Sequence, residues 1–130
     1  VYPGEFQITS PPVVVDDVVI VGSSIGDNAR ADAPRGTVRA FDARTGVPRW
    51  SFDPVERGSA DFPADWGSDS ATRTGHANVW APMSVDPVRR LVFLPTSSPS
   101  PDFYGGERPG DNRYANSVVA LHATNGDVAW

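Results

Sequence analysis

Apolar residues occur along the chain in short runs that are separated by polar turns. The stretch PPVVVDDVVIVG at 11–22 places valines before the pair Asp16–Asp17 and a second apolar run after it. The stretch APMSVDPVRRLVFLP at 81–95 repeats this arrangement around Asp86. Valine and isoleucine are β-branched and suit a pleated surface, and no segment shows an apolar period of about 3.6 residues over the length of a helix. The pattern predicts an all-β chain.

A second feature is internal repetition. TVRAFDARTGVPRW at 37–50 and SVVALHATNGDVAW at 117–130 align at an offset of 80 residues. The two copies share a valine, an alanine, a glycine and a tryptophan, namely Val38 and Val118, Ala40 and Ala120, Gly46 and Gly126, and Trp50 and Trp130. Each glycine stands where a hairpin must turn with positive φ. Repetition of this kind indicates an architecture built from similar units.

Each unit predicts a strand, a turn, a strand, a long loop, a strand, a turn and a strand. Two such units are typical of two four-stranded antiparallel blades of a β-propeller, in which ~4 to 8 blades are arranged radially. A blade usually takes ~40 to 50 residues. We therefore place blade one at about 8–54, a connector at 55–79 and blade two at about 80–130, within one propeller domain.

Three connections are much longer than the hairpin turns, and they span 23–36, 54–79 and 95–116. Because the strands of a blade are antiparallel, the loops between second and third strands and the connectors between blades lie on the same face. Long connections without secondary structure tend to be functional. We therefore predict the functional site on this face.

Composition and charge exclude some classes of protein. The net charge of −5 argues against a nucleic-acid partner, since phosphate binding needs a basic face. The absence of cysteine excludes a disulfide framework and a thiolate metal site. The sequence shows no signal peptide and no transmembrane run. It begins VYPGEFQITSPP, which resembles the interior of a protein, and so we expect the natural chain to extend in both directions.

The repeated segment resembles a known motif. AFDARTGVPRW at 40–50 is similar to the tryptophan-docking repeat of the quinoprotein propellers, and the resemblance implies that Trp50 packs between neighbouring blades. The second copy departs from the motif at His122, which replaces the aspartate, and at Asn125, which replaces the threonine.

Three further stretches carry a more specific resemblance. YPGEFQITSPPVV, DNARADAPRG and FLPTSSPSPDFYGGERPGDNRYANSVVAL together resemble the membrane-bound pyrroloquinoline quinone (PQQ) dehydrogenases of the glucose, polyol and quinate group. The resemblance covers essentially the whole chain, as an interior piece of a longer one. It implies an eight-bladed propeller that oxidises a sugar, polyol or cyclic alcohol with PQQ and Ca²⁺ or Mg²⁺. It also implies a membrane quinone as electron acceptor and a place at the periplasmic face of the bacterial inner membrane.

The resemblance assigns roles to residues of the long loops. Asp27 and Asn28 match a pair that binds the metal, and carboxylate and amide oxygens suit a hard divalent cation. The alternative is an Asx turn in Gly-Asp-Asn. Trp80 matches the tryptophan on which PQQ stacks, or it is a core or interblade tryptophan. Asn78 is expected to contact a PQQ oxygen.

Other loop residues have less specific roles. His76 is expected near substrate, or it is a surface imidazole. Ser100 matches a hydroxyl or amide residue of the cofactor site near the metal, or it is a solvated serine in a proline-rich loop. Phe103 and Tyr104 line the mouth of the site or shield the loop from water. The connector also carries carboxylates that we expect to be solvated: Glu56, Asp61, Asp65 and Asp69.

Two other classes of function stay open. A non-catalytic propeller that acts as a scaffold or binding protein would keep the docking repeats, and a solute-binding or sensor propeller would keep the long loops. The catalytic base of the family is an aspartate, which we expect beyond Trp130. We expect residues 1–130 to be inactive alone and not to form a stable monomer, because two blades leave their outer faces uncovered.

Overall fold

The computed structural model describes residues 2–26, 30–55, 57, 66 and 73–130. These residues form β1 (Phe6–Gln7), β2 (Val13–Val15), β3 (Val18–Val21), β4 (Ser24–Ile25), β5 (Val38–Asp42), β6 (Pro48–Phe52), β7 (Ser84–Asp86), β8 (Leu91–Pro95), a short 3-10 helix (Gly105–Glu107) and β9 (Val118–His122). The pairings between these strands are antiparallel. No helix in this part of the chain is long and apolar enough to cross a membrane. The prediction of an all-β chain is confirmed.

The first large sheet contains β2, β3, β5 and β6 in that order. Val15 pairs with Val18 across the first turn, in which Asp16 has a φ of 53°. Gly46 turns the chain between β5 and β6 with a φ of 71°, as its place in the repeat predicts. These are the four strands that we predicted for blade one.

The second large sheet contains three strands, β7, β8 and β9, one fewer than we predicted for blade two. The expected fourth strand is the segment 127–130. It lies beside β9 through an antiparallel bridge between Leu121 and Val128 and through a 2.8 Å hydrogen bond from Ala129 N to Ala120 O. The segment occupies the fourth position, but its paired residues are too few in succession to form a regular strand.

A small two-stranded sheet was not predicted. β1 pairs with β4, so that Phe6 lies opposite Ile25 and Gln7 lies opposite Ser24. Strands of two residues are too short to show an alternating apolar pattern. The pairing attaches the first described residues to the first long loop.

One hydrophobic core joins the two large sheets, and its buried residues come from both. Trp50 packs against this core, and its indole Nε1 donates a 2.9 Å hydrogen bond to Ala123 O in blade two. Gly126 lies so close to the indole that a Cβ there would be 2.8 Å from Trp50 Cδ2. The predicted docking of a tryptophan between blades is confirmed for Trp50.

Candidate functional site

The three long loops meet around residues 74–79, which are all buried. His76 forms a parallel bridge with Arg35 of the first loop and an antiparallel bridge with Pro99 of the third. Its backbone N–H donates a 3.0 Å hydrogen bond to Pro34 O. The long connections therefore share one face, as predicted, and the end of the connector lies between the other two.

Glycines allow the backbones to approach closely at this meeting point. A Cβ at Gly75 would lie 1.9 Å from Ala33 O, and a Cβ at Gly36 would lie 2.2 Å from His76 O. Only glycine fits where another backbone comes this near. The connector is thus held by direct backbone contact with the first loop.

The side chain of Asn78 links the first and third loops. Its Nδ2 donates to Ser23 O at 2.6 Å, and its Oδ1 accepts a hydrogen bond from Ser97 Oγ at 3.0 Å. The residue is 4% exposed. The geometry gives Asn78 a structural role between the loops, and its contact with a PQQ oxygen stays a prediction.

Ser100 contacts the other two loops through a buried hydroxyl. Its Oγ donates to Ala31 O at 2.5 Å and accepts from Gly75 N at 2.9 Å. Its carbonyl accepts from Thr74 Oγ1 at 2.5 Å. The interpretation of Ser100 as a solvated serine is wrong, because its partners are backbone atoms of loops that are distant in sequence. Its place near a metal stays a prediction.

His76 is 2% exposed, so its interpretation as a surface imidazole is also wrong. The imidazole Nε2 lies 3.1 Å from Gly26 O. A carbonyl oxygen only accepts hydrogen bonds, and so Nε2 carries a hydrogen and donates it. Proximity of His76 to a substrate stays a prediction.

Trp80 follows this buried segment and is itself 58% exposed. The residue before it, Val79, is fully buried, and its carbonyl accepts a 2.9 Å hydrogen bond from Ser23 N. Trp80 is therefore not a core tryptophan. An exposed indole beside a fixed backbone offers a flat surface to a planar ring. The residues present fit a cofactor such as PQQ at this position, and both the platform and the interblade interpretations of Trp80 stay predictions.

The predicted metal ligands and the connector carboxylates lie outside the described residues: Asp27, Asn28, Glu56, Asp61, Asp65 and Asp69. Within the residues that the structure describes, no group of three or more His, Cys, Asp or Glu side chains could hold a metal ion. The metal site at Asp27 and Asn28 stays a prediction.

The aromatic pair of the third loop differs in its surroundings. Phe103 is 92% exposed, so it does not shield the loop from water. Tyr104 is also exposed, but its ring lies over Gly106, where a Cβ would be 2.4 Å from Tyr104 Cζ. The shielding interpretation therefore holds in part for Tyr104 and is wrong for Phe103.

Sequence reasoning missed a cavity of about 180 Å³ between the loops, lined by Ala31, Asp32, Arg73, Thr74, Ser100, Pro101, Glu107 and Arg108. The guanidinium of Arg108 donates to Asn112 Oδ1 at 2.7 Å and to Pro101 O at 3.2 Å. Burial lowers the pKa of Arg108. Its Nε has no hydrogen-bond partner among the described residues. Of the lining residues, only Ser100 had been assigned a role from the sequence, and no sequence signal pointed to the cavity itself.

Ser23 was missed as well. It is fully buried, and its Oγ has no hydrogen-bond partner in the described part of the chain. The adjacent Gly22 lies so near the connector that a Cβ would be 2.1 Å from Val79 O. The first loop thus touches the backbone immediately before Trp80, and a buried hydroxyl lies at this junction.

Antiparallel sheets that share a core, a tryptophan that docks between them and long loops gathered on one face define part of a β-propeller. The family model described as "PQQ: Glucose/ethanol/alcohol dehydrogenase, beta-propeller domain" matches residues 1–130. The chain belongs to this family.

Individual relatives agree with the family. The chain is 39% identical over 130 residues to the quinoprotein glucose dehydrogenase of Escherichia coli strain K12, covering 98% of this chain and 16% of that protein. It is 42% identical over 128 residues to the quinate/shikimate dehydrogenase (quinone) of Acinetobacter baylyi, covering 96% of this chain and 15% of that protein. The quinohemoprotein alcohol dehydrogenase structure from Comamonas testosteroni superposes with a TM-score of 0.78 at 29% identity, covering 98% of this chain and 20% of that one. The chain thus spans about one-sixth of the length of these curated relatives.

Proposed function

We propose that the chain is part of a longer PQQ-dependent dehydrogenase that oxidises a sugar, a polyol or a cyclic alcohol. The observation that carries this proposal is the exposed indole of Trp80 at the end of the buried segment where the three long loops meet. The relatives named as glucose and quinate/shikimate dehydrogenases support the substrate class.

The residues of this chain divide the work of holding the site. PQQ, if bound there, would accept the two electrons of alcohol oxidation, and a divalent cation would supply Lewis-acid assistance. Trp80 supports the cofactor ring, and Asp27 and Asn28 supply oxygen ligands that suit Ca²⁺ or Mg²⁺. Asn78 and Ser100 hold the loops through the hydrogen bonds described above. We place the catalytic base, an aspartate, beyond Trp130.

We also propose a membrane quinone as the electron acceptor and a place at the periplasmic face of the bacterial inner membrane. The printed name of the Acinetobacter baylyi relative includes "(quinone)", which supports the acceptor. The resemblance to the membrane-bound group supports the place. The acceptor is tested by comparing the rate of PQQ-dependent turnover with an artificial dye and with a soluble ubiquinone analogue. Turnover with the quinone analogue supports the proposal, and turnover with the dye alone contradicts it.

The cofactor platform is tested with Trp80→Ala in the full-length protein. We expect the Kd of PQQ for the apoenzyme to rise at least about tenfold, because stacked aromatic contacts contribute about 1 kcal/mol beyond the area they bury. Trp80→Phe keeps an aromatic ring, and its Kd for PQQ should lie between those of the native protein and Trp80→Ala. An unchanged Kd together with a lower melting temperature would show that Trp80 has a structural role only.

The full-length protein also distinguishes the dehydrogenase interpretation from the interpretation as a non-catalytic scaffold. Full-length protein that binds PQQ and reduces dye with added calcium or magnesium supports the dehydrogenase. Protein that folds but neither binds PQQ nor reduces dye with either metal would support the non-catalytic propeller instead.

A further inference from the structure

A single buried histidine contacts both ends of the first long loop. The imidazole of His76 donates to Gly26 O at 3.1 Å, and its backbone forms a bridge with Arg35 and donates to Pro34 O at 3.0 Å. The residue also forms a bridge with Pro99 of the third loop. The imidazole is not part of the hydrophobic core of the two sheets.

The backbone at this point has an unusual conformation. His76 and Ala77 have φ values of 55° and 53°. The left-handed region is unfavourable for residues with a Cβ, and it persists where the surroundings impose it, often at functional sites. Here the surroundings are the neighbouring loops, because Ala77 N donates to Ser98 O at 3.1 Å. Trp80 is three residues after Ala77 in the sequence.

We propose that His76 is a positioning residue for the cofactor site, whose imidazole holds the Gly26 end of the first loop at a fixed place relative to Trp80. This inference rests on the proposed function. Gly26 directly precedes Asp27 and Asn28 in the sequence, and Trp80 is the proposed platform. One hydrogen bond therefore connects the backbone beside the proposed metal ligands to the segment that carries the platform.

The test compares two replacements of similar size in the full-length apoenzyme. Gln at position 76 keeps an amide N–H at about the reach of the imidazole Nε2, whereas Met fills the space without a donor. We expect His76→Met to raise the Kd of PQQ about tenfold, and His76→Gln to stay within about threefold of the native protein. Quenching of tryptophan fluorescence on PQQ addition measures the Kd without turnover.

Two further measurements distinguish a positioning role of His76 from a general effect on the stability of the protein. The metal concentration for half-maximal reconstitution should rise in His76→Met and not in His76→Gln, and the KM for the alcohol should change less than kcat. The chain contains one other histidine, His122, which is exposed on β9, so His122→Met is the matched control and should leave the PQQ affinity unchanged.

The outcomes separate the inference from the proposed function. Native apoenzyme that does not bind PQQ contradicts the proposed function itself. Native apoenzyme that binds PQQ, with equal Kd values for the Gln and Met variants, overturns the role of His76, as does a lower melting temperature with unchanged Kd. If His76→Met does not fold, His76→Asn, whose amide is one methylene too short, makes the same comparison with His76→Gln.

Discussion

The turns of the two copies of the docking repeat share a backbone hydrogen bond and differ in their polar side chains. The glycine N–H donates to the carbonyl four residues earlier in both, from Gly46 to Asp42 at 2.9 Å and from Gly126 to His122 at 2.8 Å. The two glycines have φ values of 71° and 80°. The turn therefore forms with either aspartate or histidine at its first position, and the glycine determines its shape.

The first copy adds a network of charged hydrogen bonds. Asp42 Oδ1 accepts from Arg44 N at 3.0 Å and Thr45 N at 2.8 Å, and Asp42 Oδ2 accepts from Arg49 at 2.6 Å. Arg49 also pairs with Asp17 in the neighbouring turn. Hydrogen bonds from Arg49, and then from Thr45, hold the pKa of Asp42 well below its usual range.

The second copy has a different arrangement around the same turn. Asn125 Nδ2 donates to Asp127 Oδ2 at 2.5 Å, and the position equivalent to Arg49 is Ala129. Its tryptophan, Trp130, is 64% exposed and contacts the Phe93 ring with a centroid distance of 5.8 Å. Glycine and tryptophan thus define the repeat, whereas the carboxylate network is present in one blade only among the described residues.

The largest expected effect comes from removing the tryptophan that docks. Trp50→Ala should lower the free energy of unfolding of the full-length protein by about 3 kcal/mol, because it opens a cavity between the blades and leaves Ala123 O without its indole partner. Denaturant titration measures this loss. Trp80→Ala, which removes an exposed indole, should change stability by less than about 1 kcal/mol. Equal losses from the two variants would contradict the docking role of Trp50.

The docking of Trp50 could be predicted from the sequence, whereas the contacts inside the site could not. A repeat is visible as spaced identical residues, and a docking tryptophan belongs to that spacing. Asn78 and Ser100, in contrast, bond to the carbonyls of Ser23 and Ala31. Every residue has a carbonyl, so no side-chain pattern identifies which one is the partner.

The same reason explains which interpretations of the site were wrong. His76 and Ser100 are polar residues in loop sequence, which usually indicates exposure. They are buried because long loops from both sheets converge on them, and that convergence depends on tertiary structure. Trp80 was predicted as a platform from resemblance; it is exposed, and its role stays a prediction.

Replacing each glycine of the repeat with alanine distinguishes the cost of backbone strain from the cost of disturbing the docking contact. Alanine at either position must adopt a positive φ, which costs about 1 kcal/mol. At Gly46 none of the described residues lies within 4 Å of the added Cβ, whereas at Gly126 the Cβ would be 2.8 Å from the Trp50 ring. We expect Gly46→Ala to cost about 1 kcal/mol and Gly126→Ala to cost about 2 to 4 kcal/mol, since overpacking is added. Denaturation midpoints of the two variants that coincide would be inconsistent with this contact.

A smaller effect is expected from the carboxylate of the first copy, and it depends on pH. The pKa of Asp42 is lower in the folded state than in the unfolded state, so its ionised form stabilises the fold above the unfolded pKa of about 3.9. Asp42→Asn should therefore be less stable than the native protein at pH 7. The difference should shrink as the pH falls below about 4. Thermal midpoints at pH 7, 5 and 3 measure it, with Asp111→Asn in an exposed loop as control. A difference that does not depend on pH would exclude the proposed ionic origin.

The smallest effect is expected from restoring the aspartate in the second copy. Ala43 N bonds to Asp17 O in blade one and Ala123 N bonds to Arg90 O in blade two, so Arg90 occupies the position of Asp17.

An arginine at 129 would add a cation near Arg90, whose Nε pairs with Asp16 Oδ2 of blade one at 3.0 Å. An aspartate at 122 would add a carboxylate near Arg90 and could accept hydrogen bonds from the turn, as Asp42 does in the first copy. We expect His122→Asp to raise the thermal midpoint by an amount that corresponds to less than about 1 kcal/mol at pH 7, and 1 M salt should reduce the gain. His122→Asn, which can accept the same hydrogen bonds without charge, is the control. If the aspartate variant is no more stable than the asparagine variant, charge at this turn does not explain how the two copies differ.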